Sequence, residues 1–85
     1  MAVRLRADDG RIRIDLELEH LRGRGAWSLV ILHERQIVAR ATLTATDATR
    51  SLHLRRNVTD WYGIDTVVSR ASGPGGEQCR AAAAV

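Results

Sequence analysis

The stretch RADDGRIRIDLEL, residues 6–18, decides the first part of the fold because its polar and apolar side chains alternate with a period of two. An Asp-Gly pair within it favours a type I′ turn, in which both central residues take positive φ. Folding the chain at this turn places Leu5 opposite Ile14 and Val3 opposite Leu16, so that apolar residues meet apolar residues. We therefore predict a β-hairpin with one apolar face and one polar face.

The polar face of this hairpin carries charges that largely compensate each other. Two of its three charged cross-strand pairs are opposite in sign, and each such pair contributes about 0.2–1 kcal/mol. Only Arg6 and Arg13 oppose each other with like charge. We interpret this row as a solvent-facing, self-neutralising surface.

The next segments predict two more strands. AWSLVILH, residues 26–33, is almost continuously apolar, which is typical of a central strand covered on both faces. A short connection returns the chain as IVARATLT, residues 37–44, and sets Ile31 opposite Ala39. The small alanines of the second strand leave space above the sheet, so we expect a helix to pack there.

Residues 46–62 are compatible with two structures. A Thr-Asp pair can cap a helix at its start, Gly63 can end it, and the apolar residues cover about half of a helical wheel. The alternation of Leu52 and Leu54 favours a strand instead. We predict the helix and keep the strand as the alternative.

Together these segments predict an α+β fold. It is a four-stranded antiparallel β-meander with one helix packed on one face, to which residues 64–69 add a short fifth strand. Residues 1–70 form a single domain on this interpretation. Residues 71–85 are rich in Gly, Pro and Ala, and this composition predicts a flexible, disordered C-terminal tail.

Composition narrows the classes of function. The chain has 85 residues, a net charge of +3 and 13 basic residues, all of them arginine. It has one cysteine, Cys79, so no internal disulfide can form, which favours a reducing cytoplasm. No signal-peptide pattern and no apolar run of about 18 residues occurs, so we expect no membrane partner.

No pattern of residues indicates catalysis. His20, His33 and His53 lack metal-ligand spacing, and Cys79 lies in the expected tail with no group that would stabilise its thiolate. We therefore predict a non-enzymatic protein without catalytic residues, metal or cofactor.

Binding is the function that remains, and two kinds of partner are open. The first hypothesis is a small module that self-associates to a homo-oligomer or binds a protein partner through its sheet, because Val30 and Leu32 point to the face that the helix does not cover. The alternative is nucleic-acid binding, to RNA or DNA, through arginines without neighbouring acids. These are Arg22, Arg24, Arg50, Arg55 and Arg56.

Overall fold

The computed structural model describes residues 1–21, 24–46, 50–60 and 63–85, which form seven strands and no helix. The strands are β1 (Ala2–Asp8), β2 (Arg11–Leu18), β3 (Gly25–His33), β4 (Gln36–Ala45), β5 (Leu52–Thr59), β6 (Thr66–Ser72) and β7 (Gln78–Ala84). The prediction of an α+β fold is therefore wrong, since the described chain is all-β. It follows that none of these residues belongs to a helix that could cross a membrane.

The strands form two antiparallel sheets that pack face to face. One sheet has the strand order β1-β2-β5 and the other has the order β4-β3-β6-β7. The core between them is aliphatic, with one buried indole. Its main members are Ile12, Ile14 and Leu16 from β2, Trp27, Leu29 and Ile31 from β3, and Val67 and Ala71 from β6.

The predicted first hairpin is confirmed. Asp9 has a φ of 53° and Gly10 a φ of 77°, as a type I′ turn requires. The register sets Leu5 opposite Ile14. Turn chemistry and apolar matching therefore fix this hairpin together.

The predicted pairing of β3 with β4 is also confirmed, with Ile31 opposite Ala39. The four-stranded meander is wrong, because β2 pairs with β5 and not with β3. The space above the alanines of β4 is occupied by the second sheet, whose strand β5 lies against β4. A second sheet thus covers the apolar face for which we expected a helix.

The predicted helix over residues 46–62 is wrong and its strand alternative is right. Leu52 and Leu54 are buried on β5, and Leu54 lies opposite Leu16 of β2. The outer edge of β2 needs a hydrogen-bonding partner, and the period of two in β5 matches that of β2. Positions 47–49 and 61–62 of the predicted helix lie outside the described residues.

The chain beyond residue 71 forms a strand, so the prediction of a disordered tail is wrong. The predicted strand at 64–69 is present as β6, shifted to Thr66–Ser72, and β7 pairs with it along its whole length. The turn between them packs on the core, because a Cβ at Gly73 would lie 2.7 Å from the ring of Trp27. Glycine at this position therefore lets the β6–β7 turn contact the buried indole.

Candidate functional site

The four-stranded sheet has an outer face, opposite the core, that combines arginine and aliphatic side chains. Outward-facing positions alternate with core positions along each of its strands. We call this surface the arginine face and define it by Val30, Leu32, Arg40, Val68, Arg70 and Arg80. Along these four described strands no position carries Asp or Glu.

Three of the arginines lie in a single row across the sheet. Arg40 of β4 is opposite Val30 of β3, Val30 is opposite Arg70 of β6, and Arg70 is opposite Arg80 of β7. Neighbouring strands lie about 4.8 Å apart, so this row places the Cα atoms of the three arginines within roughly 15 Å. The outer face of this sheet therefore carries three arginines in one row and no acid on its strands.

Arg70 and Arg80 are a like-charged pair at close range. Asp65 and Val85 exchange both of their main-chain hydrogen bonds, at 2.9 and 3.0 Å. Counting along the ladder from that pair makes Arg70 and Arg80 a non-hydrogen-bonded pair, in which the Cα atoms are about 4.5 Å apart. Like charges directly opposite each other destabilise a sheet. An anion between them would remove this cost.

An aliphatic row borders the arginine row. Leu32 of β3 is opposite Val68 of β6, and both side chains are half-buried. Together with Arg70, Arg80 and Glu34 they line a cleft of about 500 Å³. The arginine face therefore offers apolar area next to hydrogen-bond donors.

The residues predicted to form a protein interface both lie on this face. Val30 and Leu32 point away from the core and are half-buried. The structure thus joins these two residues to a set of arginines that differs from the set chosen from the sequence.

The predicted nucleic-acid-binding arginines do not share one face. Arg55 and Arg56 are consecutive on β5 and therefore point to opposite sides of their strand. Arg24 is exposed immediately before β3, and Arg50 is exposed in the segment before β5, where its carbonyl accepts a hydrogen bond from Leu21 N at 3.0 Å. Arg22 lies outside the described residues.

Sequence reasoning missed Arg40, Arg70 and Arg80 as a group. The predicted pairing of β3 with β4 already implies that Arg40 lies beside Val30. Arg70 and Arg80 meet only when residues 78–84 are recognised as a strand. Two runs with alternating outward polar residues around a Gly-Pro-Gly-Gly turn were the available signal.

The outer face of the three-stranded sheet is different because an acid lies at its centre. Asp15 accepts a hydrogen bond from Arg55 Nε at 2.6 Å, and its carboxylate also lies 3.4 Å from Arg13 Nε and 3.4 Å from His53 Nε2. The hydrogen bond from Arg55 is the largest cause that holds the pKa of Asp15 below its ordinary value of 3.8. Asp15 thus compensates part of the positive charge of Arg13, Arg55 and His53.

One buried ionisable pair lies at the end of the sandwich where β3 stops. His33 Nε2 and Asp65 Oδ1 are 2.6 Å apart, and both side chains are buried. Among the described residues, Glu34 brings a third ligand-type group to this pair. In the described part of the chain, His33, Glu34 and Asp65 thus form a group whose ligand atoms lie close enough together to hold a metal ion.

The fold and the arginine face define the chain as a two-sheet antiparallel β-protein with a cationic sheet face. No protein-family model matches the sequence, and neither a curated protein nor a solved structure matches it.

Proposed function

We propose that the chain is a small binding module that binds the acidic surface of a partner protein through the arginine face. The observation that carries the proposal is the row Arg40, Val30, Arg70 and Arg80, since no acid lies on any of these four strands. Guanidinium groups pair bidentately with carboxylates. The neighbouring aliphatic side chains supply the apolar, water-excluding part of an interface.

Charge argues against a second copy of the chain as the occupant of this face. A two-fold dimer brings the same surface patch of both subunits together. Here it would place one arginine row against another, and juxtaposed like charges suppress association. A different protein with Asp and Glu side chains fits the surface better.

The absence of stacking groups favours protein over nucleic acid. Sheets that bind single-stranded RNA stack bases on aromatic side chains. Along the described strands of this face, no outward position carries Phe, Tyr or Trp. Nucleic-acid binding through the arginines is the alternative function, and nuclease treatment separates it from protein binding.

The proposed activity is binding and not catalysis. The face presents guanidinium and aliphatic groups, and neither acts as a general base or nucleophile at neutral pH. We propose no cofactor for it. Because Cys79 is a free thiol, we place the module in a reducing cytoplasm.

Charge reversal on the arginine face tests the proposal. Wild-type protein and the Arg70→Glu/Arg80→Glu double variant are used to capture partners, and the captured protein is then purified and titrated back. The matched control is Arg6→Glu/Arg13→Glu, which reverses the other directly opposed arginine pair, on the other sheet. We expect the first variant to weaken the reconstituted complex at least about tenfold, equivalent to about 1.4 kcal/mol, and the control to leave it unchanged.

Three results would overturn the proposal. The first is that the two double variants weaken the complex equally. The second is that the complex disappears on nuclease treatment. The third is that sedimentation shows a homo-oligomer that the Arg70→Glu/Arg80→Glu variant disrupts. The second result would establish nucleic-acid binding, and its affinity should then fall steeply with salt. The third would establish self-association through this face.

A further inference from the structure

The end of the sandwich at which β3 stops brings three ligand-type side chains together. His33 is the last residue of β3, Glu34 follows it, and Asp65 precedes β6. One ligand atom from each of these residues lies within 4.8 Å of the other two. The imidazole and one carboxylate are buried, whereas Glu34 is exposed and gives access from solvent.

Main-chain hydrogen bonds fix the segments that carry these groups. Glu34 N donates to Thr66 O at 3.0 Å, and Thr66 N donates to the Glu34 carboxylate. Asp65 and Val85 exchange two main-chain hydrogen bonds. The three side chains are therefore held near one another by the strand pairing itself, which lowers the ordering cost of binding a ligand.

Negative charge at this end exceeds what the imidazole can neutralise. Glu34 and Asp65 each place a carboxylate oxygen within 4.8 Å of a ring nitrogen of His33. Two carboxyl groups thus converge on His33, which carries at most one positive charge. A divalent cation would balance this group of charges.

We propose that His33, Glu34 and Asp65 bind a divalent transition-metal ion, for which Zn²⁺ is the probe. Imidazole nitrogen with carboxylate oxygens is a donor set that Zn²⁺ accepts at about 2.0–2.2 Å, and the imidazole disfavours Ca²⁺ and Mg²⁺, which prefer oxygen. Ligand atoms on one such ion lie roughly 3–3.5 Å apart. His33 Nε2 and Asp65 Oδ1, now 2.6 Å apart, therefore separate by less than about 1 Å as the ion replaces the proton between them.

A background variant makes the test specific. The chain has three histidines and one cysteine, so His20→Gln, His53→Gln and Cys79→Ser together leave His33 as the sole imidazole. Zn²⁺ is titrated into this protein by calorimetry, and the ¹⁵N resonances of the imidazole are followed by NMR. We expect one ion per chain, a shift of the Nε2 resonance and a higher Tm.

The exposed ligand then separates a metal site from a structural ion pair. Glu34→Gln removes the carboxylate but keeps an oxygen that can accept the hydrogen bond from Thr66 N, so the fold should persist. We expect it to weaken Zn²⁺ binding by more than the roughly 10–100-fold that loss of an outer partner costs. Glu77→Gln, an exposed glutamate in the β6–β7 turn, should change nothing. No binding to the background variant, or equal affinities for the two glutamine variants, would overturn the proposal.

Discussion

Arg55 donates a hydrogen bond from Nε to Asp15 Oδ1 at 2.6 Å, across the pairing of β5 with β2. The two residues are 40 positions apart in the chain. This contact places Arg55 on the polar outer face of the three-stranded sheet. The predicted helix over the same residues would instead have turned Arg55 toward the core. It also makes Asp15 the acid on which Arg13, Arg55 and His53 converge.

This arrangement predicts how stability depends on pH. The hydrogen bond from Arg55 lowers the pKa of Asp15, partial burial opposes this effect, and the charges of Arg55, Arg13 and His53 add to it. A carboxyl whose folded pKa lies below its unfolded pKa stabilises the fold at pH values above the unfolded pKa of about 3.8, and this stability is lost as pH falls through the folded pKa. Asp15→Asn should remove this acid-limb dependence in urea unfolding measured between about pH 5 and pH 2.

At neutral pH the same substitution should cost about 1 kcal/mol, because exposed pairs contribute little and a network somewhat more. Glu19→Gln is the control, since the Glu19 carboxylate lies 3.9 Å from His20 and both are exposed. Identical pH profiles for Asp15→Asn and wild type would contradict the prediction.

The like-charged pair on the other sheet predicts a gain in stability from a charge reversal. Arg80→Glu places an acid directly opposite Arg70, and should raise the free energy of unfolding by about 0.2–1 kcal/mol. Urea unfolding followed by Trp fluorescence measures it. The same variant should bind the partner protein more weakly, so that stability and binding change in opposite directions. A loss of stability would show that these guanidinium groups do not repel each other.

A buried hydroxyl predicts a second stabilising substitution. Ser69 of β6 is 0% exposed, and its Oγ has no hydrogen-bond partner among the described residues. Burial without a partner costs about 1–3 kcal/mol, so Ser69→Ala should raise the free energy of unfolding by about 1 kcal/mol. Ser72→Ala, at an exposed position of the same strand, should stay within about 0.5 kcal/mol of wild type. Equal effects of the two substitutions would contradict this.

Local signals predicted the two hairpins whose turns and apolar rows agree. Asp9 and Gly10 fix the first turn, and the match of Ile31 with Ala39 fixes the register of β3 with β4. Their information lies within about 20 residues of chain, so it can be read from the sequence.

Strands β5 and β7 could not be predicted from local sequence, because their structure depends on partner strands elsewhere in the fold. Leu52 and Leu54 fit both a helical wheel and a strand, and only the open edge of β2, more than 30 residues earlier, selects the strand. The alanines of β7 have low intrinsic strand propensity, and they form a strand because β6 offers an unpaired edge beside the core. The row of arginines depends on β7 and was therefore missed with it.

Proline substitutions in β7 test that strand directly. Asp65 and Val85 are a hydrogen-bonded pair, and hydrogen-bonded and non-hydrogen-bonded pairs alternate along an antiparallel ladder. Ala83, opposite Val67, therefore donates its N–H to β6, whereas the N–H of Ala82 points to the outer side of β7, where no described strand pairs with it. Ala83→Pro removes a ladder hydrogen bond and leaves a buried carbonyl unpaired, which should cost about 1–3 kcal/mol.

Ala82→Pro is the matched control, because proline is tolerated on edge strands where its missing N–H would face solvent. Both substitutions restrict φ in the same way, so the difference between their free energies of unfolding reports the ladder bond together with the packing of Ala83, which is half-buried where Ala82 is exposed. Amide exchange should agree, with slow exchange at Ala81 and Ala83 and faster exchange at Ala82. If both proline variants unfold at the wild-type urea concentration, residues 78–84 are not part of the sheet, and Arg80 cannot be held opposite Arg70.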